Sequence, residues 1–207
     1  MLSIVEEQTG VNVMLDISNF PWAEFNLVEN RDLYVADSLG LKRSKRTTGI
    51  HRYEFELVTV EMPDNEGRAL KAKLSRAVND VLHYRHPRYS YSNGTIPGSG
   101  ILVNGSHAKG ETSVVLTSLN IWQLKAGDYL QWANDSKVYE VAEDTGKVSG
   151  IQTVQLTFPL RTALTASSTV TANGITWYLS SDGIIAVDTQ ANQNQDMQIT
   201  LSVVEQL

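Results

Sequence analysis

Short alternations of apolar and polar residues, separated by turn-forming residues, run along most of this chain. The clearest set lies between Lys125 and Leu160, where LKAGDYLQW, SKVYEVAED and TVQLTFPL follow one another closely. Each segment is rich in β-branched and aromatic residues and is bounded by Gly, Asp, Asn or Ser, which is typical of consecutive antiparallel strands. With SGILVNG and TSVVLTS upstream, the region supplies about five short strands, as expected of a small β-barrel.

Further strands are predicted on both sides of this region. VNVMLDI, RDLYVADS and HRYEFELVTVEM precede it, and ITWYLSS, DGIIAVDT and DMQITLSVVEQL follow it. In HRYEFELVTVEM the apolar residues change face along the strand, with Tyr53, Phe55 and Leu57 on one face and Val58, Val60 and Met62 on the other. A strand with two apolar faces indicates either a bulge or burial on both sides in an assembly of several copies.

One helix is predicted, from Asp64 to Leu82. Asp64 is a favourable N-cap residue. An apolar stripe at helical spacing is formed by Leu70, Leu74, Ala77, Val78 and Val81. This stripe is expected to lie on a sheet, and His86-Pro87 ends the helix because the residue before a proline is pushed out of the helical region.

The composition is that of a folded protein without disulfides. The 207 residues are 42% hydrophobic and 19% charged, which is close to the globular average. The absence of cysteine excludes disulfides and thiolate metal sites, and it fits assembly in a reducing cytoplasm. No apolar run approaches the roughly 18 residues of a membrane helix. The net charge of −6 opposes a general attraction to nucleic acid.

No catalytic or metal-binding signature is evident. His83 and His86 have a spacing that metal ligands use, but the sequence offers no third ligand nearby. Glu140, Glu143 and Asp144 lie where a strand descends into a turn, a place where exposed acids are common. We therefore predict that the protein is not an enzyme and holds no cofactor and no metal.

The strongest cluster of charge is basic. It consists of Lys42, Arg43, Lys45 and Arg46. The cluster has no interleaved aromatic residues on which bases could stack, so a solvated loop or a contact with an acidic protein partner is favoured over nucleic-acid binding. These four residues are a candidate contact loop.

The order of the elements resembles that of the distal tail proteins of long-tailed (siphovirus-type) bacteriophages. Strands and a capped helix with a proline-bounded exit come first, then a unit with the GD turn of LKAGDYLQW, the strand KVYEV and a PLR ending, and then strands that finish in ITLSVVEQL. The resemblance implies a mainly β fold. A tail-tube-like β-sandwich with one α-helix would comprise residues 1–94 and 166–207, and an inserted small OB-like β-barrel would comprise residues 95–165.

The resemblance also implies a function. Distal tail proteins are structural components of the tail tip that form a hexameric ring, join the tail tube to the distal hub and allow DNA to pass. The implied partners are further copies of the chain, the tail tube protein, and hub or tape-measure proteins, in a virion tail made in the host bacterial cytoplasm and without a membrane contact. The candidate ring interface is the two-faced strand, with Tyr53, Phe55, Leu57, Val58, Val60 and Met62.

Charge adds one expectation about such a ring. The chain has 23 acidic and 17 basic residues, so six copies carry a formal charge of −36, which is six times −6. A net acidic lumen does not retain DNA, since each phosphate contact requires a cation on the wall. We therefore expect the lumen-facing surface to be acidic.

A second hypothesis is a carbohydrate-binding module that recognises sugar on the host surface. Aromatic rings stack on the apolar faces of sugars. The candidate rings are Trp122, Trp132 and the cluster of Tyr84, Tyr89 and Tyr91.

Overall fold

The computed structural model describes residues 14–37, 43–77, 80–92, 100–118, 122–188 and 196–206, and it describes side chains outside 31–50 and 182–188. In these ranges the chain is mainly β, as predicted. It forms two sheets, and one helix packs on the first of them.

The first sheet combines strands from the early and the late parts of the chain. Its order is β1 (Leu15–Asp16), β5 (Leu82–Tyr84), β13 (Trp177–Asp188), β14 (Asp196–Glu205), β3 (Arg43–Thr59) and β2 (Trp22–Asp37). β1 and β5 are parallel, and the other pairs on this path are antiparallel. The short β4 (Met62–Pro63) pairs with the start of β14. β14 is therefore a central strand, flanked by β13 and β3.

Alternation along the strands builds the first hydrophobic core. In β3, Tyr53, Phe55 and Leu57 are exposed by 2% or less. Trp177 of β13 is fully buried, and its ring centroid lies 4.9 Å from that of Phe55. The β14 residues Met197, Ile199, Leu201 and Val203 fill the same cluster. Burial of each large apolar side chain contributes about 1.5–3 kcal/mol, so this face of β3 and β14 is a principal source of stability.

The helix, α1 (Asp64–Arg76), is shorter than predicted. Leu82 belongs to β5, because the segment from Leu82 to Tyr84 pairs with β13 and with β1 instead of continuing the helix. Pro63 takes the N-cap position, while Asp64 is the first helical residue and its carboxylate binds Arg68 at 2.7 Å. Leu70, Leu74 and Ala77 are buried, as predicted, and Val78 lies outside the described residues.

The second sheet is made of strands that are contiguous in the chain. Its order is β10 (Lys147–Val148), β11 (Ile151–Gln155), β7 (Ser113–Thr117), β6 (Ile101–Val103), β12 (Thr169–Thr171), β8 (Tyr129–Trp132) and β9 (Val138–Glu140). We call residues 101–171, from its first strand to its last, the second unit. β12 pairs with β6 and β8 in this sheet. The second unit therefore extends beyond residue 165, the boundary predicted from the sequence.

The two ends of the second sheet approach each other without forming a closed barrel. Val141 and Leu156 form an isolated bridge. Beside it, the N–H of Ala142 donates to the carbonyl of Gln155 at 2.8 Å, and that of Thr157 donates to the carbonyl of Glu140 at 2.9 Å. Among the described residues these contacts join β9 to β11 only at their ends.

α1 approaches β14 closely at Gly67. A Cβ atom at Gly67 would lie 2.5 Å from the Sδ of Met197 and 2.9 Å from its Cβ. Glycine is therefore required here by the distance between the helix and the sheet, and not by an unusual backbone angle.

Replacing Gly67 by Ala is expected to destabilise the protein. Alanine improves helix propensity by about 1 kcal/mol, but overpacking against Met197 costs about 1–3 kcal/mol, so the net change is a loss of up to about 2 kcal/mol. Urea unfolding measures this change in the free energy of unfolding. The double variant Gly67→Ala/Met197→Ala removes the clash with Sδ and Cγ, although the contact with Cβ remains, and it should lose less than the sum of the two single variants. Simple additivity would contradict this explanation.

His86 shapes the segment that leaves the first sheet. Its Nδ1 accepts the backbone N–H of Arg88 at 3.0 Å and that of Tyr89 at 2.9 Å, and its ring lies 3.9 Å from that of Phe25. Burial, with a smaller effect of Arg88, lowers the pKa of His86 to about 4. The imidazole is therefore neutral in the folded protein, and it acts as the acceptor that closes the turn.

We expect the free energy of unfolding to fall as the pH drops from 6.5 towards about 4, because the unfolded chain takes up a proton that folded His86 does not. His86→Asn keeps an acceptor at this position without titrating, so this variant should lose less stability over the same window. Urea unfolding at pH about 7 and about 4.5 makes the comparison. Equal losses of stability in the parent and in the variant would mean that His86 does not cause the pH dependence.

Candidate assembly surface

β2 and β3 form a long hairpin that continues past the rest of the first sheet. The two strands pair from Trp22 and Thr59 to Asp37 and Arg43. β14 accompanies β3 only from Glu54 to Val58. We call the part of the hairpin formed by residues 31–37 and 43–50 the arm. Along the arm, no described strand pairs with the outer side of β2 or of β3.

β2 is also an edge strand over its whole length. It pairs with β3 on one side, and none of the described strands pairs with its other side. The outer edge of a strand presents a row of backbone donors and acceptors that can pair with another chain. The first sheet therefore has an edge suited to strand addition.

The predicted ring interface is corrected by the burial of its residues. Tyr53, Phe55, Leu57 and Met62 are exposed by 5% or less and belong to the core of the chain itself, so they are not available to a neighbouring copy. Val58 is half-buried, and Val60 is 42% exposed. The change of apolar face marks the end of β3 and the turn into β4, which directs Met62 into the core.

The outward face of β2 and β3 is acidic in the described part of the sheet. It carries Glu24, Glu54 and Glu56 against Arg52. Asn30 Nδ2 donates to Glu54 Oε1 at 2.9 Å and Arg52 Nη2 lies 2.9 Å from the same oxygen. The bond from Asn30, and then that from Arg52, lower the pKa of Glu54, so its carboxylate stays charged.

A shallow groove follows this acidic face. It has a volume of about 260 Å³ and lies between β2, β3 and β14. Its lining is Val28, Glu54, Phe55, Glu56, Ser202, Val203 and Val204. Val28 is 46% exposed there, so the face combines carboxylates with one accessible apolar side chain.

Three of the four residues of the basic cluster lie at the far end of the arm. Lys42 is outside the described residues, whereas Arg43, Lys45 and Arg46 belong to β3 and have Asp37, Val35 and Tyr34 as their Cα partners. The predicted contact loop is thus largely strand, because β3 begins at Arg43. The arm places three cations far along the hairpin from the acidic face.

The aromatic residues proposed for sugar binding are mostly covered. Trp122 and Trp132 are each 2% exposed, and the Nζ of Lys147 lies 4.7 Å above the Trp122 ring. Tyr84 is also buried, and Tyr89 packs against Phe25 and His86. Tyr91, at 52% exposure, is the accessible member of the set. Neither indole offers an open face to a sugar ring.

A polar junction that the sequence did not reveal joins the second unit to the first sheet. Lys137 of the second unit and Glu205 of β14 are both buried, with their nitrogen and oxygen 3.4 Å apart. The Nζ of Lys137 also donates to the carbonyl of His51 at 2.8 Å and lies 3.1 Å from Nδ1 of the same residue. A lysine ammonium has three donors, and here it has three acceptors.

The carboxylate of Glu205 is held from both units. Its Oε1 accepts the N–H of Val138 at 2.8 Å, and its Oε2 accepts the N–H of Tyr53 at 3.4 Å. Burial raises the pKa of Glu205 and lowers that of Lys137, and in each case the partner's charge opposes the shift. We conclude that the pair is ionised, because the ammonium of Lys137 donates to the carbonyl of His51 and to Glu205, and the carboxylate of Glu205 also accepts two backbone N–H groups.

Aromatic rings surround the junction. The ring of His51 stacks on that of Phe158, with centroids 3.2 Å apart and planes 11° apart. Tyr129, Val138 and Phe158 of the second unit all belong to the core cluster of the first sheet. The second unit is therefore packed on the first sheet through a shared core.

A second buried carboxylate orders the turn that carries Lys137. Asp135 accepts the N–H of Lys137, the hydroxyl of Tyr139 and the hydroxyl of Thr162, each at 3.0 Å, and it pairs with Arg161 Nη2. Arg161 is the last residue of the PLR ending noted in the sequence. Its role in the structure is to fix the β8–β9 turn through Asp135.

Spacing along the chain gives no signal for the junction. His51 and Lys137 are 86 residues apart, and Lys137 and Glu205 are 68 apart. Each is a single polar residue in or beside a strand. Among the described residues no group of three His, Cys, Asp or Glu side chains could hold a metal ion, and no helix is long and apolar enough to cross a membrane.

No protein-family model and no curated protein matches the chain.

Lys137→Met should lower the free energy of unfolding by about 3–5 kcal/mol, because it leaves Glu205 buried without its cation. Lys137→Met/Glu205→Gln removes the orphaned charge and should recover part of this loss. Lys147→Met is the matched control; it removes a cation–π contact worth about 0.5–1 kcal/mol. Urea unfolding compares the three variants, and an equal effect of the two lysine substitutions would refute the assignment.

Proposed function

We propose that this chain is a non-enzymatic structural component of a bacteriophage tail tip, located in the virion tail, which forms a hexameric ring joining the tail tube to the distal hub. The observation that carries the proposal is the β2–β3 arm together with the open edge of β2. A monomeric enzyme has no need for a two-stranded ribbon that continues beyond its sheet, whereas a ring subunit uses such a ribbon to reach its neighbour.

The arm is long enough for that contact. Seven residues of β2, from 31 to 37, belong to it, and at about 3.3 Å per residue they extend about 23 Å. Strand addition to a sheet edge satisfies backbone groups and is a common mode of protein association. The three cations of Arg43, Lys45 and Arg46 then meet an acidic surface of the next copy, for which the face with Glu24, Glu54 and Glu56 is suited.

The net charge of −6 per copy suits a passage for DNA. A wall whose carboxylates outnumber its cations gives a phosphate backbone few places to bind, so DNA can move past it. In this proposal the first sheet is tail-tube-like and contacts the tail tube protein and the hub or tape-measure proteins. The second unit is OB-like, on the support of its near closure between β9 and β11.

Removal of the arm tests the proposal. Arg31 and His51 are Cα partners, so an Asn-Gly turn inserted directly between them, in place of residues 32–50, forms a two-residue hairpin. We expect the full chain to form six-subunit rings in light scattering and negative-stain images, and the shortened chain to be a folded monomer. The control is Val148→Ser/Ile151→Ser, which removes exposed apolar side chains from the second unit instead.

The result is decisive in either direction. Rings that persist without the arm, or a full chain that stays monomeric at high concentration and is absent from purified tail tips, would refute the proposed function. Loss of rings in the control as well would move the interface to the second unit.

A further inference from the structure

The buried junction lies at the point where the arm leaves the first sheet. The regular pairing of β2 with β3 runs up to Arg31 and His51, and the register then shifts before it resumes at Leu33 and Thr47. His51 is therefore the last residue of β3 before the irregularity. We therefore call His51 the root of the arm, since the arm begins next to it on β3.

The second unit holds both the side chain and the main chain of this one residue. Phe158 stacks on the imidazole at 3.2 Å, and Lys137 Nζ approaches Nδ1 at 3.1 Å. The same Nζ donates to the carbonyl oxygen of His51 at 2.8 Å. A contact to the carbonyl restrains the backbone direction directly, which a contact to the ring alone would not do.

The imidazole of His51 also faces a carboxylate on the neighbouring strand, β2. Because an ammonium can only donate, Nδ1 of His51 acts as the acceptor and Nε2 carries the proton. That Nε2 lies 3.8 Å from Oε1 of Glu29, on β2. The imidazole therefore stands between the cation of the second unit and a carboxylate of β2, next to the place where both strands leave the sheet.

Stability alone does not account for a lysine at this position. A buried ion pair costs several kcal/mol of desolvation per ion, and apolar residues of similar volume are often as stabilising or more so. The ammonium instead supplies directional hydrogen bonds, two of them to His51 and one to Glu205. Such directed bonds fix one arrangement of the two units.

We propose that Lys137, with Phe158 and Glu205, is a clamp that fixes the direction in which the arm leaves the first sheet relative to the second unit. Lys137 is thus a positioning residue. A partner bound to the second unit and a neighbour that engages the arm are thereby held in one relative orientation. Only this last step, the engagement of the arm, rests on the proposed function.

Distances between spin labels test the clamp in the full-length protein. The chain has no cysteine, so labels can be placed uniquely at Ser44→Cys on the arm and at Thr153→Cys on the exposed side of β11. The clamp is removed with Lys137→Met/Glu205→Gln, which leaves no buried charge alone. Lys147→Met is the control, since this lysine belongs to the second unit and contacts Trp122.

We expect the distribution of label distances to broaden at least about twofold in the clamp variant, because a two-stranded ribbon restrained by its own ladder alone is marginally stable. The control should keep the parent width. Equal widths in the clamp variant and the parent, with the fold intact by circular dichroism, would overturn the inference. If the double variant does not fold, Lys137→Arg replaces it. A planar guanidinium cannot reproduce the bonds of the ammonium. The inference then requires that the distribution of label distances shifts or broadens in Lys137→Arg.

The test does not depend on the assembly state. Labelled chains are diluted into an excess of unlabelled chains, so each particle carries one labelled copy whether it is a monomer or a ring. A monomer with an arm held by Lys137 would refute the proposed function and support the clamp. A ring in which the label distances do not change when Lys137 is replaced would support the proposed function and refute the clamp.

Discussion

The packing of the second unit on the end of the first sheet depends on one buried cation among aromatic rings. Lys137 lies 5.8–5.9 Å from the ring centroids of Tyr53, Tyr139 and Phe158, and its charge is balanced by Glu205. Without this ion pair the carboxylate of β14 would be enclosed in an apolar core. The central strand of the first sheet and the β8–β9 turn of the second unit therefore balance each other's buried charge.

The core of the chain lies beside an edge of the first sheet that is open to other molecules. Trp177 packs with Tyr129 of the second unit and with Phe55 of β3, so the core continues from one sheet to the other. Next to β3, β2 has an open edge, and the arm extends beyond the sheet. The core of the subunit and the surface offered to other molecules therefore meet at β3, where the arm leaves the sheet.

Much of the architecture could be predicted from the sequence, because strand patterns depend on local alternation. The core face of β3, the buried stripe of α1 and the strands from β8 to β11 all follow from such patterns. The end of α1 could not be predicted in this way, since Leu82 continues a helical stripe but its backbone is needed to pair with β13 and β1. Pairing partners from elsewhere in the chain decided that boundary.

The assembly surface was predicted less well for a related reason. Apolar residues on a strand indicate burial without saying what buries them, and Tyr53, Phe55 and Leu57 are covered by the chain's own core. The outer edge of β2 is a property of backbone topology, to which no residue type corresponds. The junction of His51, Lys137 and Glu205 depends on three segments that meet only in the folded protein.

The position of β14 has a consequence for the synthesis of the protein. β14 is the last described strand along the chain, yet it lies between β13 and β3 in the middle of the first sheet. On the ribosome, β2, β3 and α1 must wait for residues 196–205 before their core can close, whereas the second unit is contiguous and pairs as soon as it emerges. Because contacts distant in sequence form slowly, the second unit is the natural first folding domain, and the hairpin of β2 and β3 is the segment most in need of chaperone protection meanwhile.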